Sequence, residues 1–159
     1  MSVSSQLSTY LAQRGARYEV CIHEHSLSSA ETARRAGLTG GQLAKPVILE
    51  DDEGCVMAIV PADKTLKVED FARLMGRDHL ELAKEERIAR LFKDCERGAI
   101  PPIGMAWGIP TIVDDDLEQA EVVYMEAGDH ERLLRMSHDQ FHSLMQSQPH
   151  GSFSRGQMH

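Results

Sequence analysis

The sequence has few of the features that mark secreted, membrane-spanning or disulfide-bonded proteins. No apolar run approaches the roughly 18 residues of a membrane span. The first residues lack the basic segment and apolar block of a secretory signal. The only cysteines are Cys21, Cys55 and Cys95, and their wide spacing contains no C-x-x-C pair. This usage predicts free, mostly buried thiols in a reducing cytoplasm.

Positive charge is also scarce. Lys and Arg together number 17 against 25 Asp and Glu, which gives a formal net charge of −8. That balance argues against broad binding to DNA or RNA, which needs many cationic contacts with phosphates, but it leaves room for one or two cations to grip a short nucleotide end. Walker, Rossmann, G-x-S-x-G and kinase motifs are missing, so no cofactor is predicted.

What is present is typical of one globular domain. The chain has 159 residues, of which 42% are hydrophobic and 26% charged. Strands and helices alternate without a βαβ rhythm and hairpins dominate, so the pattern favours an α+β fold. We predict a single domain over residues 1–146, followed by a polar tail over 147–159 that is expected to be disordered.

Helical spacing, capping residues and β-branched runs predict the individual elements. Helices are predicted over Ser2–Arg14, after the capping box Ser28–Glu31, over Val68–Met75, over Glu85–Phe92 and from Ser137 to Gln146. Strands are predicted over Arg17–Ile22, Leu43–Leu49, Cys55–Val60, Leu80–Leu82, Ile109–Val113, Glu121–Met125 and Arg132–Met136. Because proline cannot donate to a ladder, the strand that holds Pro46 should have an edge or a bulge there.

Lys45 is the first candidate functional residue, because it interrupts an apolar strand. Lysine is rarely fully buried without a partner. It could line a cavity as a compact cation for phosphate or carboxylate. It could equally be an edge-strand lysine that blocks aggregation.

A stiff loop over Gly98–Gly104 is the second candidate. Its prolines, Pro101 and Pro102, restrict the backbone, and its glycines allow close approach of a ligand. Such a loop can offer main-chain groups to a reacting carbonyl and a water molecule. The alternative is a rigid connector.

Histidines give weaker signals. His130 follows Gly128 and Asp129 at a predicted hairpin tip, where it could donate to a substrate or act as a base, or simply complete the turn. His138 and His142 share a helix face, but the intervening residues lack the glutamate of H-E-x-x-H. No metal site is predicted from them.

Three segments together resemble the YbaK/prolyl-tRNA-synthetase-associated domain family of aminoacyl-tRNA deacylases. They are the strand around Lys45, the stretch Asp63–Leu66, and the Gly98–Gly104 loop that precedes Gly108–Asp114. The resemblance runs from about Ser5 to Leu144. It implies a mixed, partly barrel-like β-sheet flanked by helices, and a freestanding, cytoplasmic enzyme that hydrolyses amino acids wrongly attached to tRNA.

The resemblance also implies roles for named residues. Lys45 should hold the phosphate or terminal adenosine of the tRNA 3′ end, and the loop backbone should position the ester carbonyl and water. The substrate's own ribose hydroxyl should supply much of the acid–base chemistry. The predicted catalytic residues are therefore Lys45, Gly98, Ile100, Pro101 and Gly104, and the predicted substrate-binding residues are Lys45, Pro102, Ile103 and His130.

Two departures leave the substrate open. Some branches of the family have a polar residue after the lysine, where this chain has Pro46, and the Gly-Asp-His turn is not universal. Alanine, serine, cysteine and proline all stay possible as the amino acid removed. A non-catalytic module that binds charged tRNA, a nucleotide or a synthetase is the alternative, and a metal-dependent hydrolase that uses His138 and His142 is a weaker one.

Overall fold

The computed structural model describes residues 3–23 and 37–156, and within them it contains four helices and ten strands. The helices are Ser5–Gln13 (α1), Val68–Met75 (α2), Glu85–Leu91 (α3) and His138–Met145 (α4). The strands are Glu19–Ile22 (β1), Ala44–Asp51 (β2), Gly54–Pro61 (β3), Lys64–Leu66 (β4), Glu81–Leu82 (β5), Thr111–Asp114 (β6), Val122–Glu126 (β7), Arg132–Ser137 (β8), His150–Gly151 (β9) and Ser154–Gly156 (β10). Short 3₁₀ helices lie at Gly40–Gln42, Gly104–Trp107 and Asp115–Gln119.

The strands form three sheets. The central sheet has the order β5-β2-β3-β6-β9, in which β2 is antiparallel to β3 and β5, and β6 is parallel to β3 and β9. A second, antiparallel sheet has the order β1-β8-β7, and β4 pairs with β10 alone. The predicted α+β class is confirmed. In the described part of the chain the sheets stay open, so the barrel-like closure is not seen there.

Two hydrophobic clusters cover the two faces of the central sheet, because successive side chains of a strand point to opposite faces. Ala44 and Ile48 of β2 belong to the larger cluster, together with apolar residues of α1 and α4. Leu49 belongs to the smaller cluster, together with Phe71 of α2 and Phe153. The sheet thus separates two cores, and a residue's position along β2 decides which one it faces.

Local signals in the sequence account for most element boundaries. The β2–β3 turn is closed by Asp51, whose carboxylate accepts the Glu53 N–H at 2.8 Å. Ser137 caps α4 by accepting the Gln140 N–H at 3.2 Å. The Gln140 side chain accepts the Arg17 N–H at 2.8 Å, so it does not reach back to the start of the helix as a capping box would require.

The predicted disordered tail needs a correction. Residues 147–156 are folded and include β9 and β10. Phe153 has no exposed surface and packs edge-on against Phe71, with ring centroids 5.2 Å apart. One aromatic residue in a polar segment is too weak a signal to predict a strand from sequence. Its burial against Phe71 nevertheless anchors the segment that contains β10.

Three further expectations have mixed outcomes. The three cysteines are free, but each is half-buried rather than buried. The capping box Ser28–Glu31 lies outside the described residues. Within the described residues, the longest apolar helices fall short of the length and hydropathy needed to span a membrane.

Candidate functional site

Lys45 is a half-buried cation at the beginning of β2, opposite Val60 of β3. Its Nζ donates a hydrogen bond to the main-chain carbonyl of Lys64 at 3.3 Å. Burial lowers the pKa of the Lys45 ammonium, and the nearby charge of Asp63 opposes that shift. Within the described residues no carboxylate forms a salt bridge with Lys45. Its charge is therefore not neutralised by direct pairing there.

Lys64 differs from Lys45 although the two are neighbours. Its ammonium is bound to the carboxylate of Asp116, and this hydrogen bond raises the pKa of Lys64. Lys64 thus contributes its carbonyl to the orientation of Lys45, while its own charge is paired. Of the two cations, Lys45 is the better suited to bind an anionic ligand.

The edge of β2 beside Lys45 has no strand partner in the described residues. β5 pairs only with Leu49 and Glu50 of β2, and the Ala83 N–H donates to Ile48. The free edge therefore begins near Pro46, which confirms the predicted strand edge at that proline. The start of β2 is tied to β7 by one parallel bridge, between Leu43 and Tyr124. Following the chain from that bridge, Lys45 comes two residues after Leu43, and the turn over residues 127–130 follows the end of β7.

The turn over residues 127–130 is fixed by buried polar contacts. The fully buried carboxylate of Asp129 accepts the N–H groups of Glu131 and Arg132, both at 3.0 Å, and pairs with the Arg132 guanidinium. His130 is buried and has a positive φ of 61°. It is the only non-glycine residue with a positive φ in the described chain. Asp129 thus has a structural role, and it presents His130 in a conformation that few side chains adopt.

His130 joins this turn to the start of the Gly98–Gly104 loop. Its Nε2 hydrogen-bonds the main-chain carbonyl of Arg97. A carbonyl only accepts, so Nε2 carries the proton in this contact. A second link runs from the Glu96 N–H to the Gly128 carbonyl at 2.7 Å. The structure therefore brings together two of the predicted site segments.

The loop itself is mostly packed into the protein. Gly98 is exposed, whereas Ile100, Pro101, Pro102 and Ile103 are buried. Ile100 and Ile103 belong to the larger hydrophobic cluster. The side chains of this loop therefore fix its backbone, and Gly98 offers the accessible main chain.

Gly104 is required by close packing at the end of the loop. A Cβ added there would lie 2.4 Å from the Thr111 Oγ1 and 3.3 Å from the Met57 Cβ. These atoms belong to β6 and β3, so any side chain would push the loop off the central sheet. Gly104 is predicted as a catalytic residue, but close contact with the sheet is sufficient to explain why this position is a glycine.

Among the hydrogen bonds and ion pairs of the described residues, none joins Lys45 to this loop. Val60 and Val47, which share the Lys45 face by strand alternation, pack in or against the smaller cluster. Gly104 lies over Met57, on the face of the larger cluster. The two halves of the predicted site thus start from opposite faces of the sheet, next to its free edge. That one substrate reaches both stays a prediction.

A hollow of about 300 Å³ borders the loop on its outer side, between α3 and Ile100. It is lined by Glu85, Glu86, Ile88, Ala89, Phe92, Cys95, Arg97 and Ile100. Burial, with a smaller contribution from Asp94, raises the pKa of the Cys95 thiol to about 12. Cys95 is consequently protonated at neutral pH and is no thiolate nucleophile.

His138 and His142 share one acidic partner. Each hydrogen-bonds the carboxylate of Glu118, at 3.1 Å and 3.2 Å. Asp139 and Glu118 raise the pKa of His138. Within residues 3–23 and 37–156, no group of three or more His, Cys, Asp or Glu side chains is arranged to hold a metal ion.

Sequence reasoning missed two contributors to the Lys45 environment. One is the carbonyl of Lys64, which no side-chain pattern reports, although the surrounding segment Asp63–Leu66 was part of the family resemblance. The other is β10, which pairs with that segment from residues expected to be disordered. The apolar Phe153 within the polar tail was the one available signal.

Comparison with known proteins gives a consistent result. The family model described as the aminoacyl-tRNA editing domain matches residues 23–144. A curated relative from Enterococcus faecalis, EbsC, is named as a candidate Cys-tRNA(Pro)/Cys-tRNA(Cys) deacylase. It is 25% identical over 138 residues, which cover 82% of this chain and 80% of the relative.

Solved structures share the fold. The hypothetical protein APE2540 is similar with a TM-score of 0.83 and 22% identity, over 95% of this chain and 100% of that one. A candidate trans-editing enzyme for prolyl tRNA synthetase is similar with a TM-score of 0.81 and 22% identity, over 96% of this chain and 97% of that one. At these identities the likeness establishes the architecture.

Proposed function

Because the chain belongs to the aminoacyl-tRNA editing domain family, we propose that it hydrolyses the ester between a wrongly attached small amino acid and the 3′ end of a tRNA. The observation that carries this proposal is the half-buried Lys45 ammonium, which is bound by a carbonyl, unpaired with any described carboxylate, and next to a strand edge that no described strand covers. Such a cation fits a phosphate of the RNA terminus.

The chemistry needs a water molecule, a site for the developing oxyanion and a path for protons. Water attacks the ester carbonyl, and the bond between the acyl carbon and the ribose oxygen breaks. The amino acid leaves as its carboxylic acid, and the ribose oxygen takes up a proton and becomes a hydroxyl. Main-chain N–H groups near Gly98 can stabilise the oxyanion without a charged side chain. Cys95 is protonated at neutral pH, which supports direct attack by water over a thiol route.

We assign the predicted site residues within this scheme. Lys45 anchors the 3′ end, and the backbone of Gly98–Gly104 positions the carbonyl and water. Ile100, Pro101, Pro102 and Ile103 hold that backbone by burial, and Gly104 permits its contact with the sheet. His130 positions the loop through the Arg97 carbonyl. The substrate's ribose hydroxyl supplies the acid–base chemistry.

The limited selectivity of aminoacyl-tRNA synthetases indicates which amino acids the protein would remove. A synthetase discriminates one methylene by only about 1–3 kcal/mol, so small amino acids are mischarged and need later removal. The name of EbsC makes cysteine on tRNA(Pro) the first substrate to test, ahead of alanine, serine and proline. We propose action in trans, in the cytoplasm where tRNA is charged, with a prolyl-tRNA synthetase as its partner.

The test is a deacylation panel with purified tRNAs that carry cysteine, alanine, serine or proline. We expect at least one mischarged tRNA to be hydrolysed well above the rate in buffer, and to the same extent after chelation of metals. Binding of the tRNA without turnover of any ester would instead favour a non-catalytic module. Activity lost on chelation would point to the histidine pair.

A further inference from the structure

The C-terminal strand β10 carries a second cation, Arg155, and pairs with β4, whose Lys64 carbonyl binds Lys45. β10 is the only strand partner of β4 in the described residues, with Arg155 opposite Thr65. Arg155 is exposed and forms no salt bridge with a described carboxylate. Eight of the fifteen described Lys and Arg residues form salt bridges with described carboxylates, and Arg155 is among the seven that do not. Salt bridges occupy Lys64, Lys67, Arg73, Arg77, Arg87, Arg97, Arg132 and Arg135.

The hydrogen-bond pattern of the ladder shows how the two cations are arranged. The Lys67 N–H donates to the Phe153 carbonyl at 2.7 Å. Main-chain groups of alternate residues point to the same edge of a strand, so the N–H and carbonyl of Thr65 also point toward β10. Lys64 lies one residue away, and its carbonyl therefore points to the opposite edge of β4, where it accepts from Lys45. The Lys45 Nζ and the backbone of Arg155 thus lie at the two opposite edges of β4.

β10 is held firmly enough to present a side chain. The Phe153 N–H donates to the buried carboxylate of Asp114 at 2.9 Å. The Phe153 ring is fully buried against Phe71. The residue that precedes Arg155, Ser154, is itself buried. Arg155 therefore projects from an anchored segment and not from a loose end.

From this arrangement we propose that Arg155 and Lys45 form a two-cation grip for successive phosphates at the RNA 3′ terminus. The inference rests on the proposed function and extends it, because it assigns a backbone-binding role to the C-terminal strand. Two cations that span one strand match a short single-stranded end, and they need no broad basic surface. The grip is consistent with a net charge of −8.

The test compares Arg155→Ala and Arg155→Lys with the wild-type protein. Arg90→Ala is the matched control, because Arg90 is also exposed and has no described salt-bridge partner. We expect Arg155→Ala to raise KM for mischarged tRNA about fivefold to tenfold with little change in kcat, the scale of one ordinary hydrogen bond. Its salt slope should fall by about one, and Arg155→Lys should restore most of both.

A second substrate separates binding from folding. An aminoacyl ester of adenosine lacks the phosphates, so Arg155→Ala should hydrolyse it at the wild-type rate. An equal loss on both substrates, or no change in KM or salt slope on tRNA, would overturn the grip. If the wild-type protein hydrolyses no ester, the proposed function fails. In that case the two-cation grip is tested by measuring how tightly wild type and Arg155→Ala bind an uncharged 3′-end oligonucleotide, and how steeply each affinity falls with salt. Weaker binding and a smaller salt slope for Arg155→Ala would support the grip, and equal values would overturn it.

Discussion

The surroundings of Lys45 and those of the Gly98–Gly104 loop are built by different means. Lys45 is a charged side chain that is held by one carbonyl of β4, the strand that the C-terminal β10 pairs with. The loop is apolar, nearly all buried, and locked through main-chain and histidine contacts to the 127–130 turn. One region offers charge and the other offers fixed backbone dipoles.

The difference has a consequence for function. A charge on a long side chain suits the binding of a mobile RNA end, because it tolerates small changes in position. Stabilisation of a transition state needs donors that do not move, which a packed backbone provides. Changes near Lys45 should therefore act mainly on substrate binding, and changes near the loop mainly on the chemical step.

The largest effect on stability is expected on the Lys45 side. Phe153→Ala should lower the free energy of unfolding by about 3–5 kcal/mol, because a fully buried ring leaves a cavity beside Phe71. Urea denaturation measures this, with Phe153→Leu as the milder change. Amide exchange should rise in β4 and stay unchanged near Gly104. Equal loosening of both regions would contradict their separate support.

A smaller change is expected at the loop. Gly104→Ala should cost about 1–3 kcal/mol, because its Cβ would meet the Thr111 hydroxyl. Adding Thr111→Ala removes that oxygen, so the double variant should recover part of the loss despite the missing bond to the Ile109 carbonyl. Strictly additive effects of the two substitutions would show that the contact is unimportant.

His130 tests whether the turn acts on the loop. Asparagine tolerates a positive φ, so His130→Asn keeps the turn and removes the bond to the Arg97 carbonyl. We expect kcat for deacylation to fall by about tenfold, the equivalent of one hydrogen bond, with KM nearly unchanged. A rise in KM with constant kcat would instead place His130 in substrate binding.

The smallest effect concerns His138, which hydrogen-bonds Glu118. Its pKa is raised by Asp139 and Glu118, so the stability it adds is present below its ordinary pKa of 6.5 and is lost as pH rises through the folded value. Unfolding at about pH 6 and about pH 8 should show a slight loss that His138→Gln abolishes. Deacylation by this variant should match wild type, and a large loss would revive a role for the histidine pair.

The fold was largely predictable because its signals are local. The helix over Val68–Met75 was predicted with its observed bounds, since an apolar stripe ends at Gly76. The hairpin at Asp51–Gly54 and the strand edge at Pro46 follow equally from turn chemistry and a missing N–H. Each of these depends on a few adjacent residues.

The site was less predictable because its contacts are distant in sequence. Lys45 depends on a carbonyl 19 residues away, and the His130 ring on a carbonyl 33 residues away. Main-chain acceptors leave no mark on residue types. β10 was missed for a related reason, since its position depends on the burial of one phenylalanine, Phe153, in an otherwise polar segment.

The most direct test of the account is single-turnover deacylation of a mischarged tRNA by Lys45→Ala, with Lys45→Arg and Lys84→Ala as controls. Lys84 is exposed and has no described salt-bridge partner. We predict a loss of about 100-fold for Lys45→Ala at subsaturating enzyme, partial recovery with arginine, and no change for Lys84→Ala. A folded Lys45→Ala protein that deacylates at the wild-type rate would contradict the anchoring role on which the proposed function rests.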